Sequence, residues 1–581
     1  MSMGPLSHWR LIRLKKRWKL IACLAAALLC LISCALAEGE TAERDGSLRV
    51  HLKSLGDVSS LQLQLAGDYT LDGDAGMRFD RDTVIAVQAL GDALYLKVGG
   101  FTMRLGRSVT LTRHAAEGET GLYIEGSARG GLYMGDLTLT AEGGVIRSVL
   151  TIGIEDYLYG VVPYEMSDSF PLEALKAQAV AARTYALQRK SGASSRDYDV
   201  VDTTADQVFF GYNASYQNAI AAVDQTRGMV GLYGGEYATC FYTASNGGQT
   251  ALPGDVFGSG DRSAYGYLDI HDDPYDLENP DSPVRSLSIR TDASGLPELL
   301  AGWMKAAAAE ELASMGYDDD VQNIFLDSIL SVSGHDPLYA EPCRMYARLR
   351  IEYTLSACPV SIEYEPVSVE ELLRAALNDR PVARVKTGET VGEPELVDRT
   401  FVYELDVYDQ LKDQLGLSLN GRDYEIVTVE TALGDGGTTE GFIVTMRRYG
   451  HGVGMSQRGA QWMAGEYGKS YQEILAFYYP GLTFETQNLV SAQHEALGDL
   501  PVSGADEPLP EAGEGERYAT VSLSTPFSTL NVRSAPSTDA QILATLRDGD
   551  RVIVAREEGE WSYIRTARIE GYVAGSYLTK D

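Results

Sequence analysis

From Leu172 to Lys190 the chain runs without a glycine or a proline, and Ala174, Ala177, Ala179, Ala181, Ala182 and Ala186 lie within that run. Alanine loses little freedom in a helix and leaves its faces slim. The run therefore predicts a helix packed closely on several sides, which ties the rest of the fold to it. Pro171 suits a first helical turn, and Asp168 and Ser169 are capping residue types. Upstream lies the apolar stretch Ile154–Met166. Pro163 biases Val162 away from helix, so an extended segment is expected to end at Val161 and Val162.

Between that segment and the helix sits Glu165. A carboxyl at such a junction has three open readings. Partial burial would raise its pKa and favour a protonated general acid. A nearby helix N-terminus would favour the ionised form. A cap or an ion pair is the plain structural reading. Lys176 and Arg183 are seven apart, so two helical turns bring them to one face. They make either a solvated stripe or a pair of contacts for polar groups of a substrate.

The remaining chain is mixed. Residues 46–150 read as a β-rich region, because Leu61–Leu65, Ala93–Val98, Leu122–Gly126 and Leu137–Thr140 alternate with period two between Gly and Asp turns. A sheet domain or partly open barrel fits them. Helices are expected near 215–226, 297–314 and 367–378, with an alternating strand at Met345–Tyr353. The Asp-, Gly-, Pro- and Tyr-rich segment 254–286 reads as a surface loop, and 380–440 has no legible topology. A capping box opens a helix at Ser470 with Glu473. Residues 488–516 are acidic and rich in Pro, Gly and Ala, as linkers are, and short strands return at 518–581.

The formal net charge of −33 argues against a nucleic-acid partner, which needs a basic stripe. The N-terminus has the opposite balance. Arg10, Arg13, Lys15, Lys16, Arg17 and Lys19 precede an apolar run, Leu20–Leu36, and a small-residue site at Ala35–Ala37. Residues 1–37 thus have the layout of a secretory signal. A retained membrane anchor and a lipid on Cys34 are the other readings. Each predicts an exported body, in the cell envelope or outside the cell. Cys240, Cys343 and Cys358 lie beyond that segment. Cys240 sits in an apolar run and reads as core. Cys343 and Cys358 either pair, adding about 3 kcal/mol on a chain-entropy argument, or stay as buried thiols.

Tyr449–Ala460 holds four glycines, Gly450, Gly452, Gly454 and Gly459, around His451 and Gln457. Ser456 does not sit in a Gly-x-Ser-x-Gly elbow. Gly468–Ser470 resembles the end of a phosphate loop, but Met463 occupies the place of its first glycine. His451 reads either as a structural histidine or as a pocket residue beside backbone that can approach a ligand closely.

Taken together, Glu155–Met166, Glu173–Tyr185 and Gly450–Ala460 resemble the SpoIID/LytB family (stage II sporulation protein D and amidase enhancer). Gln207–Gly211, Asn246–Thr250 and Ile474–Gly481 fit the same pattern, in the same order, over about 130–482. Leu530–Pro536, Gly549, Asp550, Trp561 and Gly571–Val573 resemble a bacterial SH3-like (SH3b) domain. The resemblance implies an α+β protein: a β-rich region at 46–150, a mixed α/β SpoIID-like core at 130–482, a linker at 488–516 and a small all-β SH3b-like barrel at 518–581. It implies a lytic transglycosylase acting on the MurNAc–GlcNAc bond of peptide-free peptidoglycan strands. Glu165 matches the family's catalytic glutamate, and Lys176 and Arg183 match its basic residues. His451 and Gln457 join these two as substrate-binding candidates. No cofactor motif is present. A His/Cys metal site is unsupported, because Thr243 and Ala244 stand where some relatives carry other residues. The competing expectation is a glycan-binding enhancer of a cell-wall amidase that does no cutting. A structural wall protein is the third.

Overall fold

The computed structural model describes residues 43–193, 195–258, 265–378, 380–382, 384–491, 494–497, 509–523, 529–567 and 569–580. Residues 1–37, expected to be an export or anchor segment, and part of the expected linker at 488–516 lie outside these residues. Among the described residues, no helix is long and apolar enough to cross a membrane. The chain is mixed α/β.

Two sheets make up the N-terminal region. One has five strands in the order Gly121–Ile124, Ser60–Ala66, Val84–Leu90, Ala93–Val98 and Phe101–Gly106. The other is built around Gly135–Glu142 and Val145–Gly153, with Ser47–His51 and Ser108–Arg113 outside them. Alternation fixes which side faces in: Leu61, Leu63 and Leu65 are buried while the residues between them are exposed. The same apolar core runs on, from Leu63 and Leu150 to Ala177 and Val180 of the long helix and to Ile474 and Tyr479.

The long helix spans Leu172–Ser191, with twelve of its residues buried. Alanine at so many positions lets the helices Gln217–Gln225, Gln457–Gly465 and Tyr471–Tyr478 all pack against it. Asp168 does not cap this helix. Its carboxylate accepts from the Ala219 N–H at 2.8 Å, at the start of the next one.

The stretch before it differs from expectation. Ile154–Tyr159 and Val162–Glu165 are short helices, not an extended run. Pro163 falls in the first turn of the second, where no N–H is needed, so the proline starts a helix there. Segment 254–286 also departs from a surface loop. It contains the helices Pro253–Val256 and Pro274–Glu278, and Asp273 and Asp276 are fully buried.

Residues between Val284 and Arg447 form a second core of their own. The strands Ile324–Pro337, Tyr346–Ala357 and Phe401–Asp406 pair antiparallel, and Val284–Arg290, Thr439–Arg447 and Ile426–Leu433 form a three-stranded sheet. The helix Glu298–Ser314 covers them with Leu300, Met304 and Leu312. Cys343 and Cys358 are buried thiols with no disulfide between them. Cys240 is also a buried thiol, and burial pushes its pKa up to about 12.

The tail has a third core, built on Ala519, Val532, Ala544, Ile564 and Val573. Its seven strands pair antiparallel from Ile542–Arg547 at one edge to Leu578–Lys580 at the other. Among the described residues these edges do not pair, so the sheet stays open where a barrel was expected.

Candidate active site

Glu165 is the last residue of the one-turn helix Val162–Glu165, and Met166 returns to extended backbone. Its side chain is half-buried. Oε1 accepts from the Val208 N–H at 3.1 Å. The Tyr242 hydroxyl and the Gln457 amide also hydrogen-bond the carboxyl. All three donors are uncharged. Burial is the largest influence and raises the pKa above the ordinary glutamate value, while the three hydrogen bonds oppose it. The group therefore keeps its proton to higher pH than an exposed glutamate, yet its anion has donors ready to receive it.

Each donor is itself held. Gln207 is fully buried. Its Nε2 donates to the Ala182 carbonyl and to the Tyr242 hydroxyl oxygen, both at 3.2 Å, and its Oε1 accepts from the Tyr157 hydroxyl at 3.2 Å. Tyr242 thus accepts from Gln207 and keeps its own proton for Glu165. Gln457 opens the helix Gln457–Gly465, whose cap Ser456 accepts from the Gly459 N–H. Gln457 Nε2 lies 3.4 Å from the Oε1 of Gln178 on the long helix. The site is therefore assembled from the start of one helix, the end of another, the backbone at 207–208 and the strand Tyr242–Thr243.

The glycine-rich turn supports Tyr242 from behind. Tyr242 and Thr243 pair in parallel with Met455 and Ser456. Gly454 has φ +72°, and a Cβ there would overlap the Phe241 carbonyl oxygen, so only glycine lets the turn lie this close. His451 Nδ1 accepts from the Val453 N–H at 3.0 Å, and the ring also bonds the Tyr242 backbone. Burial, with the charge of Arg448 added, pushes its pKa down to about 4, so the imidazole is neutral. In this geometry His451, expected as a substrate contact, braces the backbone of the turn behind Tyr242.

The two basic candidates are both engaged by carboxylates of the protein itself. Arg183 is completely buried. Its Nε and Nη2 bind both carboxylate oxygens of Glu155, at 3.0 and 2.6 Å, and Nη1 donates to the Met229 carbonyl at 3.2 Å. That guanidinium ties two helices and a strand together and is not open to substrate. Lys176 binds Glu173 at 2.6 Å and lies over the Tyr471 ring at 5.8 Å, while Glu173 also accepts from the Tyr471 N–H. It joins the long helix to the helix Tyr471–Tyr478. The shared face expected from spacing is thus a packing face. Of the substrate-binding candidates, only Gln457 reaches Glu165.

Sequence reading passed over Tyr242, Gln207, Val208 and Gln178 as parts of this site. The segment Gln207–Gly211 did stand out, but no local pattern tells which of its atoms turns inward. Tyr242 lay within an apolar run that reads as core.

A second polar cluster lies beneath the site. The Asp276 carboxylate accepts from the Ser245 hydroxyl at 2.8 Å, the Asn246 N–H at 2.9 Å and the Ser456 hydroxyl. Asp273 accepts from the Asn246 amide at 2.8 Å and the Tyr478 hydroxyl at 2.7 Å. Burial, then the neighbouring Asp276 charge, pushes Asp273 up to about 6. These acids anchor the Asn246–Gly248 turn to the helix that presents Gln457.

The sequence has counterparts among known proteins. Residues 142–233 match the family described as Stage II sporulation protein (SpoIID), and residues 528–579 match the bacterial SH3 domain. The chain carries a SpoIID domain and, at its C-terminal end, a bacterial SH3 domain. It is 29% identical over 334 residues to the amidase enhancer of Bacillus subtilis (strain 168), which covers 56% of this chain and 40% of that protein. It is 28% identical over 387 residues to an uncharacterized protein of Brachyspira hyodysenteriae (strain ATCC 49526 / WA1), covering 65% and 81%. To the stage II sporulation protein D of Bacillus subtilis (strain 168) it is 24% identical over 352 residues, covering 58% and 75%. Glu165, Gln178 and Gln207 fall inside the SpoIID match, whereas Tyr242 and Gln457 lie beyond it.

Proposed function

We propose that this chain is an exported lytic transglycosylase that cuts the MurNAc–GlcNAc bond of peptidoglycan strands stripped of stem peptides. The observation that carries the reading is the state of Glu165: a half-buried carboxyl with a raised pKa, ringed by three uncharged donors. Protonated Glu165 gives its proton to the glycosidic oxygen as the bond to the MurNAc C1 breaks. The oxygen leaves with GlcNAc as a hydroxyl. The carboxylate, held by Val208, Tyr242 and Gln457, then takes the proton of the MurNAc 6-hydroxyl as O6 bonds to C1. A 1,6-anhydro ring forms, no water is consumed, and Glu165 ends protonated. One carboxyl serves both steps, in contrast to hydrolysis with two. No cofactor or metal is called for.

The bacterial SH3 domain is, on this reading, an SH3b-like module that holds the enzyme on the cell wall, in the envelope or outside the cell. The proposed units are an export or anchor segment at 1–37, the β-rich region at 46–150, the catalytic core at 130–482 and the tail at 518–581.

The name of one relative, an amidase enhancer, favours a second reading, in which the chain binds glycan and stimulates a cell-wall amidase without cutting. Incubation of the chain with purified peptide-free strands separates the two. The first reading expects new anhydro-ended fragments by mass spectrometry with no amidase added. Intact strands, with faster stem-peptide release once an amidase is supplied, would support the second.

A further inference from the structure

Beside Glu165 stands a wall of rings that the proton chemistry does not use. Tyr164 precedes Glu165, and Phe210 follows the Val208 N–H that binds it by two residues. Their rings meet edge to face at 5.0 Å, and Tyr216 meets Tyr164 at 5.6 Å. All three are half-buried, so each keeps some ring surface in solvent. The Tyr164 hydroxyl is pushed up to about 12, first by burial and then by its contact with Tyr216.

Arg129 lies over this wall, its guanidinium 5.8 Å from the Tyr164 ring and 5.7 Å from the Phe210 ring. It is exposed and makes no ion pair among the described residues, in a chain with 82 acidic residues. The loop bearing it is fixed. Leu132 exchanges hydrogen bonds with Tyr212 at 2.8 Å, and a Cβ on Gly131 would overlap the Phe210 carbonyl oxygen. The arginine is therefore carried by backbone pressed against the segment that also holds Glu165.

Aromatic rings offer an apolar face, which suits the C–H face of a pyranose. A stacked guanidinium beside them offers a directed fork for a carboxylate. We infer that Arg129, with Tyr164 and Phe210, forms a subsite for a sugar that bears a carboxylate, and that Arg129 reads the free lactyl carboxylate of a peptide-free MurNAc. This rests on the glycan reading of Glu165. When a stem peptide is attached, that carboxylate is an amide and has no charge for Arg129 to meet. Selection for stripped strands would then reside partly in this side chain.

The test uses the full chain with Glu165→Gln, which leaves strands intact, and measures binding by calorimetry at pH 7. Three glycans are compared: peptide-free strands, the same strands with the lactyl carboxylate converted to its methylamide, and strands that keep their stem peptides. The expected preference for the free carboxylate over the methylamide is about tenfold, the size of one charge-assisted contact near the surface. It should shrink as salt is added. Arg129→Gln should abolish the preference, so that free and methylamide strands bind alike, and Arg129→Lys should keep part of it. Equal binding of free and capped strands, or a preference that survives Arg129→Gln, overturns the assignment and leaves the cutting reading standing. Tight, Arg129-dependent binding of strands with stem peptides would make a peptide carboxylate the ligand and also overturn it. If none of the glycans binds, both readings fall.

Discussion

At Glu165 burial and hydrogen bonding pull in opposite directions, and the pH dependence of cleavage reads the balance. The acid step needs the proton. Activity should therefore fall as pH rises through the raised pKa of Glu165. Tyr242→Phe removes a donor that favours the anion, so this falling limb should move to higher pH by up to about one unit, with a lower maximal rate. A pH–rate profile whose alkaline limb stays in place would separate Tyr242 from the acid. Arg183 makes a different prediction. Arg183→Met leaves Glu155 buried without its partner, and the cost should be about 3–5 kcal/mol in denaturant unfolding. A stable Arg183→Met variant with only a raised KM would restore the substrate contact. The carboxyl drew notice in the sequence by its place before an Ala-rich helix, but a cap or an ion pair fitted it as well, and its catalytic role came from the family resemblance. The partner of Arg183 could not be read from sequence, since Glu155 is 28 positions away and the spacing of Lys176 and Arg183 reports a face without what covers it.

Elements were legible wherever their signals are local. The helix at 172–191 follows from composition, and the Ser470–Glu473 capping box is present as read. Pro163 misled, because a proline that forbids helix before it also suits a first turn. The segment 254–286 misled more, since its acids read as solvated although Asp273 and Asp276 are buried among hydroxyl and amide donors contributed by Asn246, Ser456 and Tyr478. That burial has a consequence for stability. With its folded pKa raised from 3.8 to about 6, Asp273 contributes stability fully below the unfolded pKa and loses it as pH rises through about 6. Asp273→Asn lacks this dependence. The stability of the variant relative to the native chain should thus rise by about 2 kcal/mol between pH 4 and pH 7, followed by urea unfolding. A constant difference across that range would mean that Asp273 is not the titrating group.

On the scale of the whole chain, the three large cores divide the work. The N-terminal sheets and the site share one core, so neither is expected to survive excision of the other. The second core interrupts it between Val284 and Arg447, and its weak periodicity hid a π-helical stretch, Val407–Gln414, and a strand, Thr439–Arg447, whose partner Val284–Arg290 is distant in sequence. The tail has its own core. Ending the chain after Ser491 keeps the pairing of Leu489 and Val490 with Arg44 and Asp45. That truncation should cleave soluble strands at the native rate yet sediment poorly with insoluble wall fragments. Unchanged sedimentation would remove the wall-holding role from the tail.

The central claim is that one carboxyl cuts the strand. Purified peptide-free glycan is digested with the native chain and with Glu165→Gln, and anhydro-MurNAc ends are counted by mass spectrometry against time. The account predicts steady release by the native chain and a fall of at least about a hundredfold in the variant, with unfolding unchanged or improved. Equal release by both, or none by the native chain, would contradict it.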